Sequence, residues 1–248
     1  MQGQVSVTGL CHAYGPLEAL REVHFDAAPA TVTALIGPTG CGKSTVLRVL
    51  AGLVIPTAGT ATIDGLSAIG VPGRCAYMPQ GDSLLAWRRA RDNTLLAAQV
   101  AGGDIAAATR RADALFTRFG LAGFEQSWPS ELSGGMRQRV ALLRTVMAEH
   151  PVLLLDEPFG ALDAITRSDL HGWFEDLLRD QPRTTVLVTH DIDEAMRLAD
   201  RIVVFTARPG CVAATLTLPH PRPRSTLQVL DPDCAMVKRQ ILELLGTP

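Results

Sequence analysis

Lysine is almost missing from this chain of 248 residues: Lys43 and Lys238 stand against 21 arginines. Arginine is the default cation here, so a retained lysine marks a place that wants a compact ammonium rather than a planar fork. A large charge excess is missing too. A formal net charge of −2 at pH 7 gives no basic field for a nucleic acid. The five cysteines, at 11, 41, 75, 211 and 234, are odd in number and scattered, which argues against a disulfide framework and for a reducing compartment. No apolar run approaches the roughly 18 residues that suggest a membrane span. The opening Met-Gln-Gly-Gln-Val-Ser lacks the features of a signal peptide. The mean hydropathy of +0.17 owes much to alanine. There is no internal repeat, no low-complexity linker and no heptad run of useful length. The length suits one or two domains with ample core.

The chain is organised around the run Gly37-Pro38-Thr39-Gly40-Cys41-Gly42-Lys43-Ser44-Thr45. It fits G-x-x-x-x-G-K-[ST], a phosphate-binding loop. Residues 32–36 before it read as a buried strand. Residues 44–53 after it read as a helix with Val46, Leu47, Val49 and Leu50 on its apolar side. Glycines let the backbone curl so that N–H groups point at phosphate oxygens, and the helix N-terminus adds partial positive charge. Lys43 is expected to reach the outer phosphates and the Ser44 hydroxyl to ligate Mg²⁺.

Residues 4–11 and 21–25 read as strands. Tyr14, before Gly15-Pro16, is either a turn aromatic or a platform for a base. Residues 58–78 read as short strands around Ala58-Gly59 and Asp64-Gly65 turns. Gln80 closes the last of these; alone it reads as a surface residue. From residue 87 to 144 the pattern is helical. Asp104 is expected to cap a helix bearing Ile105, Ala108, Ala112, Leu115 and Phe119, with Gly120 as its stop. Ser133, in Leu132-Ser133-Gly134-Gly135-Met136-Arg137-Gln138, precedes another helix, where an ordinary cap and a second anion site both fit.

Residues 152–155 form an apolar run without alternation, as in a strand covered on both faces. It ends in Asp156-Glu157, where open α/β sheets place ligands. Asp156 can hold a Mg²⁺ shell, and Glu157 can polarise a water for attack on a γ-phosphate. A similar strand ends in His190, which reads as structural or as a contact to the same phosphate. Asp191 with Glu194 looks like a capping box. Residues 219–224 read as an extended surface segment.

Taken together, these residues resemble the ATPase subunit of an ABC transporter over nearly the whole chain. Residues 37–45 match that family's Walker A loop, Gln80 its Q-loop, residues 132–138 its signature motif and residues 153–157 its Walker B strand. Asp163 matches the D-loop, His190 the switch histidine and Tyr14 the adenine-stacking aromatic. The resemblance implies an α/β P-loop NTPase core with an antiparallel β portion (about 1–85 and 145–248) and an α-helical subdomain (about 86–144), in a single cassette. It implies that Tyr14 and residues 37–45 bind ATP, that Ser44, Gln80 and Asp156 hold Mg²⁺, and that Glu157, His190 and Lys43 are catalytic. It implies too that Ser133, Gly134, Gly135 and Gln138 close over the ATP of a partner subunit in a homodimer.

Residues 82–87, 156–163 and 207–210 are similar to importers of the nitrate, sulfonate and taurine group, which includes importers of thiamine precursors. Ala86, Arg91 and Thr94 depart from that group's pattern. Expected partners are two membrane permease subunits and, indirectly, a periplasmic or lipid-anchored solute-binding protein, with no nucleic acid. The expected place is the cytoplasmic face of a bacterial inner membrane, as a peripheral subunit. The alternative is a non-transport ABC ATPase acting in DNA repair or translation.

Overall fold

The computed structural model describes residues 2–224 and 226–246. In chain order it runs β1 (Val5–Tyr14), β2 (Leu17–Ala27), β3 (Val32–Ile36), α1 (Lys43–Leu50), β4 (Ala58–Ile63), β5 (Leu66–Ser67) and β6 (Ala76–Met78). Four helices follow: α2 (Ala90–Thr94), α3 (Leu96–Val100), α4 (Ile105–Arg118) and α5 (Gly134–Val146). Strands and helices then alternate through β7 (Val152–Asp156), α6 (Ala164–Asp180), β8 (Thr184–Val188), α7 (Ile192–Leu198) and β9 (Arg201–Phe205). The chain finishes with β10 (Val212–Thr217), α8 (Thr226–Val229) and α9 (Pro232–Leu245).

The strands make two sheets. One is antiparallel, in the order β2-β1-β4-β5. The other has six strands in the order β10-β9-β3-β8-β7-β6 and is parallel except for its edge strand β10. In a parallel sheet all carboxyl ends reach one edge. The residues after β3, β6, β7 and β8 therefore meet there, far apart as they are in sequence.

The unalternating apolar runs of the second sheet have a direct cause: both of its faces are covered. Leu153 and Leu155 of β7, Leu187 of β8, and Ile202 and Val204 of β9 face the helices α4 to α7 and α9. Their neighbours Val152, Leu154, Val186, Val188, Val203 and Phe205 face α1 and the antiparallel sheet. Side chains alternate between two cores, so apolar residues fill both faces of the strands. Leu47 and Leu50 of α1 are fully buried between the two sheets. Burying such a side chain contributes roughly 1.5–3 kcal/mol, which holds the start of α1 rigidly at the sheet edge.

Several local expectations change. Ala58-Gly59 is not a turn but the start of β4. Gly59 has φ +90°, and a Cβ there would lie 2.2 Å from the carbonyl oxygen of Gly9, so strand β4 passes β1 too closely for a side chain. β1 and β2 run longer than their apolar alternation because register shifts between Val7 and His12 interrupt it. The Asp191–Glu194 capping box is one-sided. Asp191 accepts from the N–H of Asp193 and Glu194, but the Glu194 carboxylate turns inward to His171. Within 219–224, Arg224 is buried and donates to the carbonyls of Met196, Arg197 and Ala199 at the end of α7. The α4 expectation holds: Asp104 accepts from the Ala107 N–H, and Gly120 follows the helix at φ +61°.

Candidate active site

A cleft of about 310 Å³ opens where β3 hands over to α1. It is lined by Tyr14, Leu17 and Ala19, by Thr39, Gly40, Gly42, Lys43, Ser44 and Thr45 of the loop, and by Gln80, Glu157 and Arg208. Gly42 is the N-cap residue of α1, so the first N–H groups of that helix face the cleft. The Lys43 ammonium is buried and donates to the carbonyls of Gly37 (2.8 Å) and Pro38 (3.0 Å). Among the described residues it has no carboxylate within ion-pair distance. Its charge is thus held over the loop for an anion to meet. Pro38 is exposed beside it, while Cys41 is buried with its Sγ 3.5 Å from the ammonium.

At one end of the cleft Tyr14 is exposed, its hydroxyl 3.4 Å from Thr45 Oγ1. The buried His12 ring meets the Tyr14 ring edge-on, centroids 4.5 Å apart. At the other end the carboxyl ends of three strands converge. Asp156 ends β7 and accepts from Ser44 Oγ at 3.1 Å. Burial pushes its carboxyl above the usual carboxylate range; the Ser44 hydrogen bond and Lys43 pull the other way, and the Glu157 charge adds to the rise. Glu157 follows, with its N–H on the Val188 carbonyl at 2.9 Å. Its Oε2 lies 3.3 Å from Gln80 Nε2 and 3.4 Å from His190 Nδ1. Lys43, Ser44, Gln80, Asp156, Glu157 and His190 therefore form one constellation.

Ser133, Gly134 and Asp163 do not join it. Ser133 caps α5, its Oγ accepting from the Met136 N–H at 3.3 Å. Asp163 caps α6, and its bonds from Thr166 hold its carboxyl below the usual range. Gly135 sits against Ala161, so these two helix starts share a face outside the cleft. Gln138 has a different setting from the exposed Ser133 and Gly134. It is buried, and its Nε2 donates to the Glu157 carbonyl at 3.1 Å. That bond ties α5 to the residue after β7.

Residues 20–160 match the ABC transporter family. The chain belongs to that family. It is 43% identical over 220 residues to the aliphatic sulfonates import ATP-binding protein SsuB 1 of Rhodococcus jostii, covering 89% of this chain and 85% of the relative. It is 39% identical over 216 residues to the taurine import ATP-binding protein TauB of Yersinia pestis, covering 86% and 84%. Among solved structures it resembles the ATP-binding cassette MJ0796, dimeric in a post-hydrolysis state and bound to ADP and Pi, with a TM-score of 0.77 and 26% identity over 88% of this chain and 100% of that one. This ABC transporter chain is an ATP-binding ATPase subunit, and the alternative in DNA repair or translation falls away.

Among the cleft residues that the sequence did not assign to the site, beside Leu17 and Ala19, is Arg208. It lies after β9 in the run 207–210, whose similarity to importers assigned it no place in the cleft, and it is 168 residues from the Gly40 it touches.

Proposed function

We propose that this ATPase hydrolyses MgATP as a homodimer on the cytoplasmic face of a bacterial inner membrane, and that hydrolysis drives uptake of a small oxyanion-type or related solute. Sulfonates, taurine, nitrate and thiamine precursors are the candidates, and the similarity to sulfonate and taurine import proteins favours the first two. Two permease subunits carry the solute, fed by a periplasmic or lipid-anchored solute-binding protein. No helix among the described residues is long and apolar enough to cross a membrane, in keeping with a peripheral subunit. The cassette divides into an α/β core (about 1–85 and 145–248) and a helical subdomain (about 86–144) that meets the permease.

The observation that carries this reading is the meeting of the phosphate loop with Gln80, Asp156, Glu157 and His190 at one sheet edge. In this reading Tyr14 stacks on adenine, and the backbone of 37–45 and Lys43 hold the phosphates. Glu157 accepts the proton of the attacking water. His190 orients the γ-phosphate, and its contact to Glu157 keeps the two groups in register.

The residues also fit a magnesium ion. Among the described residues no three His, Cys, Asp or Glu side chains are arranged for a metal. A cation here draws instead on oxygens: the Ser44 hydroxyl, the buried Asp156 carboxylate and the Gln80 amide, a hard set of the kind Mg²⁺ prefers alongside substrate phosphates. When bound it would offset phosphate charge.

Lys43→Ala tests the assignment. ATP hydrolysis should be lost and nucleotide binding weakened, because the loop keeps no other cation. Wild-type turnover in that variant overturns the reading. Co-purification with a membrane subunit tests the transport half.

A further inference from the structure

We propose that Arg208 is a further nucleotide-binding residue, the second cation of the cleft, and that its guanidinium takes non-bridging phosphate oxygens of an adenine nucleotide. The inference rests on the reading of the Tyr14–Lys43 cleft as the ATP site.

The charge balance comes first. The side chains at the phosphate end of the cleft are one ammonium, Lys43, against two carboxylates, Asp156 and Glu157. A nucleoside triphosphate is a polyanion, so a wall that is net negative without Arg208 opposes it. Arg208 lines the same cleft. Its Nε donates to the Gly40 carbonyl at 3.0 Å, which lays the guanidinium across the phosphate loop. Its Nη2 lies 2.7 Å from where a Cβ on Gly40 would stand. Among the described residues no carboxylate pairs with Arg208, and its two terminal nitrogens keep their donors open. A guanidinium with free donors beside a phosphate loop is the geometry of bidentate phosphate recognition.

The second point is how firmly the loop is placed. Gly210 donates to the Ala19 carbonyl and accepts from the Arg21 N–H, both at 3.0 Å, which ties the segment to β2 on one wall. A Cβ on Gly210 would lie 1.9 Å from the Cys41 carbonyl oxygen, so the segment is pressed against the phosphate loop on the other. Thr206 and Cys211 close it through main-chain and side-chain hydrogen bonds. Arg208 is carried on a clamp between the two walls that form the site. A side chain whose loop is already fixed loses less freedom on binding.

The test is calorimetric titration of MgATP and MgADP into the wild-type chain and into Arg208→Gln and Arg208→Lys. Arg208→Gln should weaken both nucleotides about tenfold, the scale of one charge-assisted phosphate contact. Arg208→Lys should recover part of that loss, because an ammonium keeps the charge but not the fork. The loss should shrink at high salt. Unfolding temperatures without nucleotide serve as the folding control, and if Arg208→Gln fails to fold, Arg208→Lys carries the test with a smaller weakening. Wild-type affinity in the folded variants overturns this inference alone. A wild-type chain that binds no MgATP overturns the reading of the cleft, and this inference with it.

Discussion

The side-chain amide of Gln138 donates to the main-chain carbonyl of Glu157 at 3.1 Å. The contact joins α5 to the residue after β7. Glu157 has φ +51°, a left-handed conformation that costs a non-glycine residue about 1–2 kcal/mol. Such a conformation persists only where neighbours over-determine it. Here the Val188 carbonyl takes the Glu157 N–H, and both Gln138 and the Gly160 N–H address its carbonyl. Gln138 thus helps to aim the Glu157 carboxylate at the cleft.

On that basis Gln138→Leu, which keeps the volume and removes the donor, should lower kcat by roughly tenfold or more. The scale is that of a misplaced catalytic group. Affinity for MgATP should stay within about twofold, because Gln138 does not line the cleft. Steady-state kinetics beside equilibrium titration separates the two. A parallel loss of affinity and rate would place Gln138 in binding rather than positioning.

Asp156 gives a prediction in pH. Burial raises its carboxyl pKa in the folded chain. A carboxyl raised in this way contributes stability while protonated, below its ordinary value. That contribution is lost as pH rises through the raised value. At neutral pH, without divalent cation, the ionised group is a cost. Asp156→Asn should therefore unfold higher than wild type in EDTA at pH 7–8, by roughly 2–4 °C per kcal/mol. The gap should close as pH falls toward the ordinary carboxylate pKa. The same variant should lose the stabilisation that Mg²⁺ adds with ATP. Equal melting curves at both ends of the pH range would show that the Ser44 hydrogen bond already offsets the burial.

Much of this was legible from local pattern. The phosphate loop, the Asp104 and Ser133 caps and the doubly covered strands each announce themselves over a few residues, because the physics that forms them is local. What was not legible depends on long-range approach. Ala58-Gly59 reads as a turn until β1 is seen beside it. Gln138 reads as part of an exposed motif until α5 is rotated onto the Glu157 peptide. Glu194 reads as the arm of a capping box until His171 of α6 offers a buried partner. Arg208 reads only as part of the importer-like run 207–210 until the sheet brings β9 next to β3 and that run lands on Gly40. In each case the deciding contact is long-range, and only the folded chain supplies it.

Glu157→Gln should retain ATP binding and nearly stop hydrolysis. The amide keeps shape and hydrogen bonding to Gln80 and His190 but cannot accept the proton of a water. The variant should then accumulate as an ATP-bound dimer, seen as a shift in size-exclusion volume with MgATP and not with MgADP. A variant that still turns over ATP at the wild-type rate would remove Glu157 from the base position.

The two helix starts at Gly42 and Ser133 raise the last prediction. Both present free N–H groups and a hydroxyl, yet the Lys43 cleft is lined without Ser133, Gly134 or Asp163. Those residues sit on a separate exposed face. If the proposed homodimer is right, two copies related by a two-fold axis place Ser133 of one over the γ-phosphate held by Lys43 of the other, making two equal sites. Thr39 is exposed at the loop mouth, whereas Cys41 is buried and a poor crosslinking handle. Chains carrying Thr39→Cys and chains carrying Ser133→Cys, each with Glu157→Gln and with Cys11 and Cys211 changed to serine, can be mixed and treated with a short bifunctional thiol reagent. A crosslinked dimer should form in the mixture, with MgATP only. Neither chain alone should yield it, since each then lacks one of the two partner thiols. Crosslinking that ignores nucleotide, or that appears within a doubly substituted single chain but never between the mixed chains, would overturn the shared site while leaving the cleft itself intact.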